Sequence, residues 1–175
     1  IKYVLRRCLP YWLRYPTLFQ FWAPTMTMEG RSYLTTQNQP FALSTFDIRI
    51  DDVKGFCGYR MISKDYKFYM DRESSDEQLG VPGRVFKHGF PEFRSNIEYY
   101  SIKEYPLRDH ALRCQVKLSS AIPLFDLSTH LCVGVLEIVS TTPSTEYPSF
   151  LDPDWGNFHN YWKVGPPTHK LAFFF

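Results

Sequence analysis

The chain reads as an α+β domain: a mostly antiparallel sheet with flanking helices. Three observations predict this. Val116–Phe125 and Leu131–Ser140 are long, apolar and rich in β-branched residues, and only the polar run Asp126–His130 separates them, so they pair as a hairpin. Shorter aromatic runs earlier in the chain are bounded by prolines or polar residues, as buried strands are. Between these blocks lies one segment with both a helix start and a helix stop, Pro82 to His88. Strands interrupted by a few short helices form α+β domains rather than alternating parallel folds.

Taken in order, Ile1 to Arg14 alternates basic and apolar positions as an amphipathic helix does, but Pro10 lacks the amide donor and interrupts it. Thr17 to Ala23, bounded by Pro16 and Pro24, is a short buried strand. Ser32 to Thr36 repeats that pattern. Ala42 to Gly58 is polar and rich in aspartate and reads mostly as loop, followed by strand-like segments at Tyr59–Ser63 and Tyr66–Met70. The run DRESSDEQ at 71–78 is a solvated acidic loop. Pro82 suits a first helical turn and Gly89 a helix stop, which frames the helix between them. Ser101 to Cys114 has helix-compatible spacing, with Pro106 forcing a break or a start inside it. In the last strand Cys132, Leu136 and Ile138 face one way and Val133, Val135 and Val139 the other. Both faces are apolar, so the strand is central.

Composition bounds the function. A length of 175 residues suits one domain, and 44% hydrophobic with 18% aromatic content is that of a globular chain. A formal charge of +2, mixed in sign along the chain, excludes a dedicated nucleic-acid surface. Cys8, Cys57, Cys114 and Cys132 form no C-x-x-C pair and have no histidines at zinc-finger spacing, which predicts reduced, mostly buried thiols and an intracellular setting. There is no apolar run long enough to span a membrane and no signal pattern, so a soluble chain that begins inside a longer product is expected. Catalytic motifs of the G-x-S-x-G and H-E-x-x-H types are absent, and Asp109 and His110, being adjacent, diverge. An enzyme is not expected, and no cofactor is implied: phosphate loops are missing, and Cys114 four residues after His110 is a poor match to a bilin-attachment pair. Glu137, inside an apolar strand, would face a polar pocket or pair with a cation.

Three strings occur in order: LGVPGRVFKHGFPEF from Leu79, SIKEYPLRDHAL from Ser101, and AIPLF from Ala121 followed by LCVGVLEIV from Leu131. Together with FWAP at Phe21 and LTTQNQPF at Leu34, they resemble the amino-terminal regulatory region of plant NIN-like proteins. There the corresponding blocks read G-L-P-G-R-V-F, P-E-W, D-H-A, L-A-L-P-V-F and C-x-G-V-x-E-x-V. The resemblance runs from near Tyr3 to Tyr147 and covers none of the last 28 residues. It implies a GAF-like fold over 1–147. The closing carboxy-terminal helix of that fold is not expected here, because the divergent aromatic tail 148–175 carries Pro148, Pro153, Gly156, Gly165, Pro166 and Pro167. Such a tail reads as truncated or misread sequence, or as a divergent segment packing its aromatics on the sheet.

The resemblance also implies a small-anion ligand, nitrate, in a regulatory region of a nuclear transcription factor whose DNA-binding domain lies elsewhere. Direct DNA binding by this chain and membrane binding are not expected; full-length family members are the implied partners. His110 and Leu112 match positions tied to nitrate recognition in the family, and Tyr147 is a weaker candidate. At i, i+2 they share one side of an extended segment but lie about 200° apart on a helix, so the segment is not assumed helical. Arg84, two residues after Pro82, is a guanidinium near a helix start, or else a tie between loops. Lys117 stands where the family commonly has arginine, Leu118 where it has glycine, and Phe93 where it has tryptophan. Lysine lacks the bidentate fork that clamps a planar oxyanion, so these exchanges weigh against nitrate binding while leaving the fold. An interaction module that has lost its ligand, or a gene fragment, are the competing readings.

Overall fold

A computed structural model describes residues 16–44, 48–70, 75–126, 128–142 and 171–174. One eight-stranded sheet forms its centre. It is built from β1 (Thr17–Met26), β2 (Ser32–Thr35), β3 (Phe41–Ser44), β4 (Phe68–Tyr69), β5 (Glu92–Arg94), β6 (Leu118–Phe125), β7 (Cys132–Ser140) and β8 (Leu171–Phe174). The spatial order is β4-β2-β1-β7-β6-β5, with β3 beside β1 and β8 beside β3, and every pairing is antiparallel. Among the described residues the helices are α1 (Ile50–Asp65), α2 (Gly80–His88) and α3 (Arg108–Arg113), with 3₁₀ turns at Asp76–Leu79 and Ile97–Tyr99. The expected amino-terminal helix lies outside the described residues, as does all of the tail except β8.

The hairpin predicted from the two apolar stretches is β6–β7, and β7 is central, lying between β1 and β6. Its alternation separates two cores. Val135 and Val139 join Leu18, Trp22, Phe56, Tyr59, Val85 and Tyr105 under the helices. Leu136 and Ile138 join Phe19, Phe21, Leu118 and Ile122 on the opposite face. Both prolines in these strands sit where pairing has stopped on one side. Pro24 lies past the end of the β1–β7 ladder and Pro123 past the end of the β5–β6 ladder, so neither missing N–H is needed. β1 therefore continues through Pro24 to Met26 instead of ending at Ala23.

The expected loop at 42–58 and strand at 59–63 are corrected: most of that stretch is the 16-residue helix α1, preceded by the short strand β3. The aspartates read as loop signals are helix-start signals. Asp51 and Asp52 occupy the first turn, where negative charge suits the helix dipole, and Asp52 Oδ2 accepts the Arg49 N–H at 3.2 Å. Gly55 and Gly58 lower the intrinsic propensity, but they let α1 lie against the end of α3: a Cβ on Gly55 would stand 2.3 Å from the Cys114 carbonyl oxygen. Helix α2 starts at Gly80, two residues earlier than read, and stops at Gly89, which is left-handed at φ 72° and donates its N–H to Val85 O. The described cysteines are less buried than expected: Cys57 is exposed, and Cys114 and Cys132 are half-buried. Side-chain packing around α1 and the register of β7 decide these exposures, which a count of cysteines does not sense.

Candidate functional site: a buried carboxylate and the surface of α3

Glu137 is fully buried on the helix-facing side of β7. Strand parity brings it there with its cross-strand neighbour Gln20, and Trp22 follows two residues along on the same face. Helix α1 contributes Tyr59 and Ser63, and the segment entering α3 contributes Tyr105. Glu137 Oε2 accepts the Gln20 Nε2 amide and the Trp22 indole N–H, each at 2.7 Å. Oε1 accepts the Tyr59 hydroxyl at 2.8 Å, with the Tyr105 hydroxyl farther off at 3.4 Å. The two phenols bond each other, and the second Gln20 amide proton goes to Ser63 Oγ at 3.0 Å. Arg60 closes the outer end, donating to Gln20 Oε1 and to the carbonyls of Thr36 and Gln39.

An unpartnered buried carboxylate costs several kcal/mol. Here burial raises the Glu137 pKa, and the bonds from Gln20, Trp22 and the two tyrosines oppose that rise without cancelling it. Tyr59 and Tyr105 are pushed well above the usual phenol range by burial and by the carboxylate beside them. They act as donors. The donors that could hold a small oxyanion in this core, Gln20, Trp22 and Tyr59, are occupied by the chain's own carboxylate.

Of the residues singled out in the sequence, those described lie on α2, on α3 and just before β6. His110 and Leu112 both lie on α3, so the segment is helical after all, and the two side chains point about 200° apart. Leu112 packs against the helix-side core. His110 is half-buried, with Arg113 Nη2 at 2.7 Å from its Nδ1. Arg84 is committed elsewhere: Nε and Nη2 grip the Glu92 carboxylate at 3.0 and 2.7 Å, and Nη1 reaches the Glu104 carbonyl at 2.8 Å. That bidentate bond joins α2 to β5. Lys117 Nζ stands 3.5 Å from Glu98 Oε1. Tyr147 lies outside the described residues. No hydrogen bond or ion pair among the described residues joins His110, Leu112, Arg84 and Lys117 to one another. Leu118, in the place of the family glycine, is buried in the core on the opposite face, so it does not fill the helix-side space.

Sequence reasoning noticed Glu137 but missed its partners. Gln20 between Phe19 and Phe21 was the available signal, since a polar residue in an otherwise buried strand needs a partner.

A curled antiparallel sheet with short helices over one face, and a polar cluster between them, is the architecture of a GAF domain. The sequence profile of the NLP protein GAF domain matches residues 17–146. The chain is 43% identical to protein NLP6 of Arabidopsis thaliana over 130 residues, 74% of this chain and 14% of that protein. It is 42% identical to Arabidopsis NLP7 over 135 residues, 77% of this chain and 13% of that one. It is 39% identical to NLP3 of Oryza sativa subsp. japonica over 135 residues, 77% of this chain and 14% of that one. A solved GAF domain region from Geobacter sulfurreducens PCA is similar with a TM-score of 0.46 at 13% identity, covering 91% of this chain and 85% of that one. The chain belongs to the NIN-like protein family and corresponds to its GAF-like regulatory region, a small part of the length of those relatives.

Proposed function

We propose that this domain is a non-catalytic sensory module that regulates a nuclear NIN-like transcription factor in cis, with nitrate as its ligand and His110 at the recognition point. The observation that carries the reading is the His110–Arg113 pair. When Arg113 donates to Nδ1, the imidazole proton resides on Nε2, on the far side of the ring, so the donors at this point are the remaining N–H groups of Arg113, which His110 holds in place. Asp109, the nearest acid in sequence, is occupied by Arg108 at 2.9 Å. A planar oxyanion suits a guanidinium fork held in this way. Leu112, on the same helix, lends apolar packing beside this point, and Arg84 and Lys117 take supporting structural roles in this reading. DNA is bound by another part of the protein, and full-length family members are the partners.

Calorimetry with sodium nitrate against sodium chloride on the 175-residue chain tests this. A nitrate-specific heat that vanishes in His110→Ala and Arg113→Ala is expected. A folded wild-type chain with no nitrate-specific heat removes the reading. The second reading, a ligand-free interaction module, then stands, and a specific observation favours it: Arg84 and the interior donors are already satisfied within the chain.

A further inference from the structure

Strand β4 ends one side of the sheet. It pairs with β2, and among the described residues no strand pairs with its other edge. The register fixes which way its backbone faces. Met70 donates its N–H to Ser32 O at 2.9 Å, so Met70 and Phe68 direct their polar groups to β2, and Tyr69 between them turns its N–H and C=O outward. Side chains alternate as well. Phe68 and Leu34 enter the helix-side core, which puts Tyr33, Tyr69 and Lys67 on the other face. There each tyrosine carries a cation. The Arg31 guanidinium carbon stands 4.2 Å from the centre of the Tyr69 ring, Lys67 Nζ stands 4.8 Å from that of Tyr33, and the two rings are 5.8 Å apart. Arg31, Lys67 and Tyr69 are exposed. The neighbouring positions of β1 and β2 on this face are Ala23, Thr25 and Thr35, none of them acidic.

We infer that this edge is a docking site for an acidic, extended peptide, which adds a strand beside Tyr69 and sets carboxylates at alternate positions against Arg31 and Lys67. Charge complementarity chooses the occupant. A second copy of the same edge would bring like charges together, so the cations that attract an acidic strand oppose self-pairing. A single-stranded nucleic acid stacks its bases on open aromatic faces, and here a cation already stands over each ring. The rings also hold the two long side chains in place before binding, which lowers the cost of ordering them. Nitrate plays no part at this edge.

The test is fluorescence anisotropy of a labelled octapeptide of alternating glutamate and valine against the 175-residue chain, with an octapeptide of alternating lysine and valine as control. The glutamate peptide binds and the lysine peptide does not. Binding weakens with added salt and falls by about tenfold or more in the double variant Arg31→Glu, Lys67→Glu. Two further readings use the wild-type chain and serve if that variant does not fold: the Tyr69 amide gains hydrogen-exchange protection on binding, and N-methylation of the probe's alternate amides, which removes the donors a ladder needs, abolishes binding. A folded wild-type chain that ignores the glutamate peptide overturns the proposal. So does binding that survives either the charge reversals or the N-methylation, and so does an oligothymidylate that displaces the peptide, which would assign the edge to nucleic acid.

Discussion

Replacing Gly55 with alanine sets two effects of known sign against each other. Alanine in a helix interior is favoured over glycine by about 1 kcal/mol, so on propensity alone Gly55→Ala stabilises α1. The new Cβ, however, would stand 2.3 Å from the Cys114 carbonyl oxygen and 3.3 Å from its carbon. Backbone cannot swing aside as a side-chain tip can, so α1 and the end of α3 must separate, and overpacking of that kind costs about 1–3 kcal/mol or more. Gly58 supplies the internal control. It lies in the same helix with the same propensity gain, but its Cβ would meet only Cys114 Sγ at 3.2 Å, a side-chain atom that can shift. Urea unfolding followed by tryptophan fluorescence measures both. Gly58→Ala is expected to be neutral or stabilising by up to about 1 kcal/mol, and Gly55→Ala to be less stable than Gly58→Ala by about 2 kcal/mol or more. Equal midpoints for the two variants, or a stabilised Gly55→Ala, would refute the close approach of α1 to α3 on which the placement of His110 rests.

Gly134 sits at φ 151° with its Cβ position 2.3 Å from the Phe21 ring and 2.6 Å from the Trp22 carbonyl, so Gly134→Ala is expected to cost about 3 kcal/mol or more and to reduce soluble yield. A wild-type circular dichroism melt would contradict it. Arg84→Lys loses the two-pronged bond to Glu92 while keeping the charge, and should lower the melting temperature by several degrees, since about 1–3 kcal/mol moves a chain of this size by roughly 2–4 °C each. Its nitrate heat should stay at the wild-type value; a loss of that heat at unchanged stability would move Arg84 into the ligand site. The two buried carboxyls have opposite pH signs. At Asp52 burial favours the neutral acid, but the bonds from Thr141 and Arg49 outweigh it and lower the pKa below 3.8, so its contribution is present above that pH and is lost as pH falls through the lowered value. At Glu137 the folded pKa is raised above 4.5, so stability is lost as pH rises from there through the raised value. Chemical denaturation across this range should therefore show Asp52→Asn flattening the acid limb and Glu137→Gln flattening the limb above it; the reverse assignment would show the hydrogen-bond accounting to be wrong.

What the chain's own letters determined about this protein is what acts over short distances. The apolar faces of Val135–Val139 required a central strand, Gly89 stopped α2 by accepting a left-handed backbone, and the ordered strings from Gly80 to Val139 identified the family. Helix α1 was hidden because its aspartates and glycines argue for loop locally, and only contact with Cys114, more than fifty residues away, makes Gly55 and Gly58 an asset. The candidate site was legible one residue at a time. Glu137 was visible as an acid among valines, but its partners Gln20, Trp22 and Tyr59 lie 117, 115 and 78 residues from it, at separations where no local signal operates. Tertiary structure alone decided that Arg84 faces Glu92, that α3 sets His110 and Leu112 on different sides, and that the seat for a small oxyanion in this core is taken. The physical reason is that a buried polar group is defined by which donors the fold brings to it, and those donors come from the pairing of strands and the docking of helices.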